Sequence, residues 1–351
     1  MKRYYYRLIG LAFTSVLLAA CTQQDEPSSE SGGQRLTIDF DFTGAGVTVA
    51  PSATRAAAVT DMKAGTEFIV RAYTGTTLVD DGIYKITTDG SGKLVSEPTD
   101  AGNSLSLTRG TYDFYFISYY PPESSTPECP TVKSDNTVEV DNGKDFITTS
   151  IQGMKIQSDY DGQVTMTIPM AAYPFSHLCT RVKATLEIPT EQVVAPTAIE
   201  KISITMDNLP GNATFTFPGT SFTGYGGRAD ENKVSLLAWT EKKKITAADA
   251  SDGFLARYSS ADGFVIPLND KEPLKFNVVM NVYYKNSTSG EVCKNFTQSL
   301  ELTKALLPGK SYNFVFTLSY YGDYTPADLT LNVQEFTPVV LKPGGAGGDD
   351  N

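Results

Sequence analysis

Residues 275–282 read KFNVVMNV, and this short stretch shows the pattern that decides the fold. Its apolar side chains recur at every second position, at Phe276, Val278, Met280 and Val282. Side chains on a β-strand point alternately to opposite faces, whereas an α-helix repeats about every 3.6 residues. The stretch therefore predicts a β-strand with one buried face.

The same alternation occurs along most of the chain. Clusters of turn-forming residues, such as DGSG at 89–92 and LPGN at 209–212, separate the alternating runs, and no long amphipathic helical pattern is found. Many short strands with polar outer faces are typical of antiparallel sandwiches. The sequence predicts an all-β protein of two tandem antiparallel β-sandwich domains. The remaining alternating runs lie at 36–42, 68–72, 112–116, 164–168, 182–188, 202–206, 215–217 and 314–318.

The chain length also favours two domains. Beyond residue 34 it keeps more residues than a single hydrophobic core usually holds. Two prolines interrupt the alternation at 189–196, so we expect one domain at 35–192 and a second at 193–343. An internal sequence similarity also indicates two related domains, because LTRGTYDF at 107–114 is similar to LLPGKSYNF at 306–314. Chance similarity of a turn followed by a strand is the alternative.

The first residues have the organisation of an export signal. Lys2 and Arg3 precede an apolar segment at 8–20 that is shorter than the roughly 20 residues needed to span a bilayer. The segment ends in LAAC, which resembles the bacterial lipobox, so we expect a signal peptide at 1–20 and acylation of Cys21. The alternative is an ordinary signal peptide with a chance cysteine. Residues 21–34 are rich in Ser, Gly, Gln and Glu and predict a flexible tether.

Net charge and cysteine usage exclude several classes of partner. The formal charge of −11 argues against binding to nucleic acid or to an anionic membrane surface. Cys129, Cys179 and Cys293 are odd in number and widely spaced, so they form neither a disulfide framework nor a zinc motif. We expect no metal and no cofactor.

The sequence offers little support for catalysis. His177 is the only histidine and lies in an apolar neighbourhood, where a structural role is expected. The segment 159–162 lacks the later ligands of a calcium loop and is expected to be a turn. The glycine-rich segment 224–228 lacks the strand–loop–helix context of a phosphate site. No catalytic residue is predicted, although a secreted hydrolase with an acidic pair across a cleft stays open as an alternative.

Carbohydrate binding is a further alternative function. The single tryptophan, Trp239, ends the run VSLLAW at 234–239, which reads as a core strand rather than an exposed sugar platform. The 19 tyrosines could replace tryptophan, although most of them lie in alternating strands. An outer-membrane surface lipoprotein that binds glycans stays open as one hypothesis for the function.

Four stretches together resemble the fimbrillin family, the lipoprotein-precursor pilins of type V pili and their Mfa-like relatives. They are the lipobox at Cys21, FIVRAY at 68–73, FSHLCTRV at 175–182 and LPGKSYNF at 307–314. The resemblance implies transthyretin-like sandwich domains and a structural, non-enzymatic pilus subunit that supports cell adhesion. It also implies a lipid-anchored precursor in the outer membrane and a cell-surface fimbrium after maturation. The implied partners are an arginine-specific protease and other pilus subunits, either identical copies or related pilins.

In such pilins the protease removes a first strand and opens a groove that a neighbouring subunit fills. The resemblance places the cut between Arg55 and Ala56, in the small-residue stretch SATRAAA at 52–58, because such stretches are easily nicked. Arg35 is the rival site, but a cut there would leave the alternating strand attached. A linker arginine that is not cleaved is the other alternative.

The segment at 328–341 is the candidate donor strand. Leu329, Leu331 and Val333 alternate, and Val339 and Leu341 add a second apolar patch. In strand addition the main chain supplies hydrogen bonds and alternate side chains fill pockets. The alternative is a final strand that pairs within its own sandwich. The tail at 344–351 is too polar and glycine-rich to contribute.

Overall fold

The computed structural model describes residues 34–49, 58–120, 128–157, 164–190, 195–246, 249–250, 253–268, 272–286, 290–321 and 325–335. Within these ranges the regular structure consists of β-strands and two single turns of 3-10 helix, at Ala101–Asn103 and Met170–Ala172. The prediction of an all-β protein is confirmed.

The first half of the chain forms twelve strands. They are β1 (Leu36–Asp41), β2 (Gly46–Val49), β3 (Ala58–Asp61), β4 (Glu67–Thr74), β5 (Thr77–Thr88), β6 (Leu94–Pro98), β7 (Ser106–Leu107), β8 (Gly110–Tyr119), β9 (Thr137–Asp141), β10 (Phe146–Ile156), β11 (Thr165–Pro169) and β12 (Phe175–His177).

The second half contributes fourteen. They are β13 (Thr180–Pro189), β14 (Pro196–Asp207), β15 (Leu209–Pro210), β16 (Asn212–Thr216), β17 (Phe222–Tyr225), β18 (Arg228–Ala229), β19 (Val234–Trp239), β20 (Lys243–Lys244), β21 (Phe254–Ser259), β22 (Gly263–Val265), β23 (Leu274–Asn286), β24 (Gly290–Leu302), β25 (Ser311–Tyr321) and β26 (Thr325–Glu335).

One eleven-stranded sheet wraps around the first core. Its order is β11-β1-β6-β5-β4-β8-β10-β12-β2-β3, with β7 also paired to β1. Three strands separate β1 from β8, which would place them about 19 Å apart in a flat sheet. The rings of Phe40 on β1 and Phe116 on β8 nevertheless lie 5.2 Å apart, centroid to centroid. The sheet must therefore fold over on itself, with the apolar faces of its strands inside.

Two five-stranded sheets enclose the second core. One runs β21-β13-β25-β26 with β22 beside β13, and the other runs β19-β14-β23-β24 with β20 beside β14. Phe276 of the second sheet lies 4.8 Å from Phe314 of the first, ring centroid to ring centroid. Phe276 is fully buried, whereas Val279 on the other face of β23 is 43% exposed. The strand predicted from the alternation at 275–282 is confirmed.

A small third sheet joins the two halves. β9 from the first half pairs with β16 from the second, with Val138 opposite Phe215, and β17 completes the sheet. The ring of Phe215 lies 5.3 Å from that of Phe146 on β10, and both side chains are fully buried. Apolar residues of both halves therefore share one core cluster at the junction.

The strand before the expected boundary belongs with the second half. β13 lies within the range 35–192 assigned to the first domain, but it pairs with β25 in parallel and contributes Val182, Leu186 and Ile188 to the second core. The two cores divide just before Thr180 rather than at the prolines of 189–196. The prolines interrupt the alternation, but the strands on both sides of them, β13 and β14, contribute buried residues to the same core cluster.

The sheets are not purely antiparallel. β1 pairs with β11, β2 with β12 and β13 with β25, all in parallel. In each pair the two strands are separated in sequence by many residues, so a crossover connection is available. Alternation in the sequence determines which face of a strand is buried, but it does not determine the neighbouring strand.

The two similar segments at 107–114 and 306–314 each form a turn followed by a strand. Tyr112 on β8 donates a hydrogen bond from its hydroxyl to the carbonyl oxygen of Thr108, at 3.1 Å. At the equivalent turn, the hydroxyl of Tyr312 on β25 accepts a bond of 3.3 Å from the backbone N–H of Leu307. Each tyrosine thus fixes the turn that precedes a central strand of its sheet.

Candidate functional site

β1 occupies an internal position in the first sheet. It pairs with β11 in parallel from Thr37↔Thr165 to Asp41↔Pro169, and with β6 and β7 on its other side. Its apolar positions are almost completely buried in the first core, together with Phe42 directly after the strand. Those on β1 are Leu36, Ile38 and Phe40. Loss of β1 would therefore open a slot with unpaired strands on both sides.

Side chains of the surrounding strands also hold β1. The buried hydroxyl of Tyr84 donates to the carbonyl oxygen of Ile38 at 2.7 Å and accepts a bond of 2.7 Å from the N–H of Leu105. The N–H of Phe40 donates to the hydroxyl of Ser96 at 2.9 Å. Any strand that replaced β1 would have to offer backbone groups at the same places, since buried polar groups are costly when unpaired.

Two carboxylates on β1 experience opposite environments. Burial raises the pKa of Asp39 above its usual range. Hydrogen bonds from Thr43 lower the pKa of Asp41, whose Oδ1 accepts the N–H of Thr43 at 2.8 Å. Before the strand, Arg35 contacts the backbone carbonyl of Ser106 and lies 3.3 Å from a carboxylate oxygen of Asp80. Arg35, the rival cleavage site, is therefore engaged by the folded sheet.

β2 is a second strand that the N-terminal segment adds to the first sheet. It pairs with β12 in parallel and with β3 in antiparallel, and Val47 is fully buried. Arg55 and Ala56 lie between β2 and β3, outside the described residues. A cut at that position would separate both β1 and β2 from the rest of the first sheet.

The candidate donor strand forms β26. It pairs in antiparallel with β25, with Leu329 opposite Leu318 and Val333 opposite Phe314. Leu329 is 2% exposed, whereas Leu331 and Val333 are half-buried against the second core. β26 is the last strand in its sheet, as the alternative of a final strand in its own sandwich predicts. Val339 and Leu341 lie outside the described residues.

The only histidine has a structural environment. Nδ1 of His177 lies 2.9 Å from Oδ1 of the buried Asp145, and its ring makes an edge contact with Tyr120. The side chain sits where the first sheet meets the junction core. This geometry agrees with the structural role expected from the sequence.

The glycine-rich segment, the cysteines and the acidic segment at 159–162 are the remaining candidates from the sequence. Arg228 of the glycine-rich segment donates to the backbone carbonyls of Asn208 and Pro273, each at 2.8 Å. Cys129, Cys179 and Cys293 are unpaired, and burial raises the pKa of Cys129 to about 12. Within the described ranges no group of three acidic, histidine or cysteine side chains is placed to hold a metal ion. The acidic segment at 159–162 lies outside those ranges.

Trp239 differs from the expected core residue. Leu236 and Leu237 of β19 are buried, but Trp239 is only half-buried at the edge of its sheet, where it forms part of the wall of a cavity. Its partners Lys243, Arg257 and Tyr258 were not singled out from the sequence, because they come from two other strands and no local spacing links them.

The lipid-attachment site lies outside the structural description. Cys21 and the signal at 1–20 precede the first described residue. No helix in the described ranges is long and apolar enough to cross a bilayer. Acylation of Cys21 therefore stays a prediction from the sequence.

Comparison with known proteins identifies the family. The fimbrillin-like family model matches residues 54–334. No curated protein matches the sequence. Among solved structures, a candidate cell adhesion protein from Bacteroides fragilis shares 16% identity and a TM-score of 0.50, over 88% of this chain and 100% of its own.

Two structures of fimbrial proteins align over similar lengths. A fimbrial protein from Bacteroides vulgatus gives 14% identity and a TM-score of 0.46, covering 86% of this chain and 99% of its own. The tip fimbrial protein Mfa3 from Porphyromonas gingivalis gives 9% identity and a TM-score of 0.37, covering 87% of this chain and 100% of its own. Since the family model spans most of the sequence, the chain belongs to the fimbrillin-like family.

Proposed function

We propose that this protein is a structural subunit of a cell-surface fimbrium that supports cell adhesion, and that subunits join by exchange of a strand. Family membership supports the role of pilus subunit. The observation that carries strand exchange is the contrast between two strands. β1 is internal and its apolar side chains are fully buried, whereas β26 is an edge strand with one partner in its sheet.

The precursor is a lipoprotein in this proposal. Cys21 is acylated and holds the chain in the outer membrane through the tether at 21–34, since buried acyl methylenes contribute roughly 0.8 kcal/mol each. An arginine-specific protease then cuts between Arg55 and Ala56. The released piece carries β1 and β2, and with them the buried Phe40 and Val47.

Release of β1 leaves an unfilled core and unpaired backbone groups. Strand β11 loses its parallel partner, and the carbonyl oxygen of Leu105 loses the N–H of Ile38, which lies 2.9 Å away. Exposed strand edges and an apolar slot together favour addition of an extended peptide. The groove would therefore accept a strand with apolar residues at every second position.

The C-terminal segment of a neighbouring subunit matches this requirement. Leu329, Leu331 and Val333 have the same spacing as Leu36, Ile38 and Phe40. In β26 the second and third of these are only half-buried. Complete burial of a Leu or Val contributes roughly 1.5–3 kcal/mol, so transfer into the internal slot gains on the order of 1 kcal/mol for each of them.

Exchange also changes the number of backbone partners. At the sheet edge β26 pairs only with β25, but in the slot it would pair with strands on both sides. The partner is a second copy of this chain or a related pilin with the same groove. The role proposed is structural and requires no catalytic group.

N-terminal sequencing of the assembled surface form tests the proposal. Purified precursor treated with an arginine-specific protease should yield fibres, visible by electron microscopy, whose subunits begin at Ala56. Fibres whose subunits begin at Cys21 or Thr22 would contradict it. A full-length, lipid-anchored monomer would favour the glycan-binding lipoprotein instead.

A further inference from the structure

A cavity of about 450 Å³ opens between the two sheets of the second sandwich. It lies where the edge strands β19 and β21 face each other. Trp239 of β19 and Tyr258 of β21 form one wall, with ring centroids 5.1 Å apart and planes tilted by 58°. Small-molecule sites commonly have volumes of roughly 300–1,000 Å³, so the cavity can hold a ligand of one or two rings.

Two buried donors in this wall have no partner. Nε1 of Trp239 and the hydroxyl of Tyr258 make no hydrogen bond within the described part of the chain. An indole N–H can only donate. Burial, with a smaller contribution from Asp249, raises the pKa of Tyr258 to about 12, so its hydroxyl is protonated at neutral pH and can donate as well. Unpaired buried donors are costly, and a ligand with acceptor oxygens would supply the partners that these two lack.

Two cationic side chains line the same cavity. Nζ of Lys243 lies 4.2 Å from the centroid of the Trp239 ring, and no carboxylate partner is found for it among the described residues. Arg257 is 2.7 Å from a carboxylate oxygen of Glu187 and is thus neutralised in part. On a chain with a net charge of −11, this is a local positive site that attracts an anion.

We propose that this cavity binds a carboxylated sugar, such as a uronic or sialic acid. The carboxylate would pair with Lys243, and the ring and hydroxyl oxygens would accept from Trp239 and Tyr258. A sugar ring also has apolar faces that suit aromatic walls. An acidic peptide fits less well, because the unpaired donors are side-chain groups at one place rather than a row of backbone groups along a strand.

The site is independent of the strand exchange proposed above. β21 and β26 are at opposite edges of the same sheet, with β13 and β25 between them. The cavity therefore keeps its walls whether β26 stays or leaves. A fimbrial subunit with such a site could contact acidic glycans along the side of the fibre.

The single tryptophan makes the test direct, because all indole fluorescence comes from the cavity wall. The full chain is titrated with D-glucuronate and with N-acetylneuraminate, and with D-glucose as the neutral match. We expect a saturable fluorescence change with at least one acid and about tenfold weaker binding of glucose, equivalent to about 1.4 kcal/mol. Lys243→Ala and Tyr258→Phe should each weaken binding of that acid about tenfold.

Lys244→Ala is the matched control, since Lys244 is the next residue of the same strand, points to the opposite face and does not line the cavity. It should bind like the wild type. Equal weakening by Lys244→Ala, or equal affinity for glucose, would overturn a specific carboxylate site. A fluorescence response to neither acid, or to a glutamate-rich peptide alone, would overturn the sugar as ligand.

Discussion

The hydroxyl of Tyr84 donates a hydrogen bond of 2.7 Å to the carbonyl oxygen of Ile38. Tyr84 lies on β5, which is not a neighbour of β1 in the sheet, so the bond crosses the interior of the first core. The hydroxyl oxygen of Tyr84 in turn accepts a hydrogen bond of 2.7 Å from the N–H of Leu105. One buried hydroxyl therefore links β1 to a strand and a loop that both follow Arg55 in the sequence.

Tyr84→Phe is predicted to loosen β1 without removing its apolar contacts. The change leaves the carbonyl of Ile38 and the N–H of Leu105 without this partner, and an unpaired buried group costs roughly 1–3 kcal/mol. Urea denaturation should show a loss of that size in the free energy of unfolding. Tyr225→Phe is the control, since Tyr225 is 55% exposed, and it should have almost no effect. Equal stability of both variants would exclude a role for the buried hydroxyl.

Asp39→Asn is predicted to stabilise the fold at neutral pH. Burial raises the pKa of Asp39, so the folded chain binds its proton more tightly than the unfolded chain. The free energy of unfolding therefore falls as the pH rises from the pKa of Asp39 in the unfolded chain, about 3.9, through its raised pKa in the folded chain. The gain from Asp39→Asn should be greatest at neutral pH and should vanish under acid conditions where Asp39 is protonated in both states.

Asp41→Asn gives the opposite sign and serves as the control. Hydrogen bonds from Thr43 lower the pKa of Asp41. Its carboxylate therefore stabilises the fold when the pH is above the usual aspartate pKa, and this stabilisation is lost as the pH falls through the lowered pKa. Denaturation curves at several pH values compare the two variants directly. A gain from Asp39→Asn that persists unchanged in acid would show that the charge of Asp39 is not the cause.

The sequence predicts the strands better than their arrangement. Alternation at 36–42 and 275–282 identifies β1 and β23 because burial of one face imposes a period of two. The pairing of β13 with β25 and of β9 with β16 could not be predicted, since both join residues far apart in the chain. The spacing of apolar residues carries no information on which distant strand lies alongside.

The candidate sites divide in the same way. Leu329, Leu331 and Val333 were found from local alternation, and the structure places them on one strand. The internal position of β1 is visible only in the sheet order, because it depends on partners from three other segments. The unpaired donors of Trp239 and Tyr258 likewise require two strands from different sheets to meet.

Cys21→Ala is predicted to abolish lipid attachment. Only a cysteine thiol at this position fits lipobox chemistry, so the variant should remain a soluble or unprocessed precursor. Partition between detergent and water phases measures the effect, with Cys293→Ala as the control because Cys293 is exposed and unpaired. A variant at Cys21 that still enters the detergent phase like the wild type would exclude the lipoprotein precursor.

Arg55→Ala is predicted to block maturation and polymer formation. Arg55 lies in the connection between β2 and β3, and cleavage there would release both N-terminal strands. Trypsin under native conditions should cut the wild type first after Arg55, as shown by N-terminal sequencing of the fragments. Arg35→Ala is the matched control, since Arg35 is bound to Ser106 and should resist cleavage in the folded chain. Normal polymers from Arg55→Ala would place the maturation site elsewhere.

Deletion of residues 328–351 is predicted to give a folded, soluble monomer that cannot polymerise. β26 is at the edge of its sheet, so its loss leaves β13 and β25 paired, although it exposes part of the core that Leu329 covers. After cleavage at Arg55 this monomer should still bind a synthetic peptide of residues 325–343. Size-exclusion chromatography and peptide titration measure the two properties. Unfolding of the second sandwich with an intact first domain would show that the strand serves only its own sandwich.

A point substitution separates the donor role from loss of the whole segment. Leu331→Asp places a charge on the apolar face of β26, where it would enter the groove of the next subunit, and burial of an unpaired carboxylate is strongly unfavourable. Thr330→Asp is the matched control, because Thr330 is the adjacent residue and its side chain is exposed on the opposite face. We expect the Leu331 variant to mature but to form few or no fibres in electron micrographs, while the Thr330 variant assembles normally. Assembly of both variants to the same extent would mean that the apolar face of β26 does not enter a groove, and another segment would have to join the subunits.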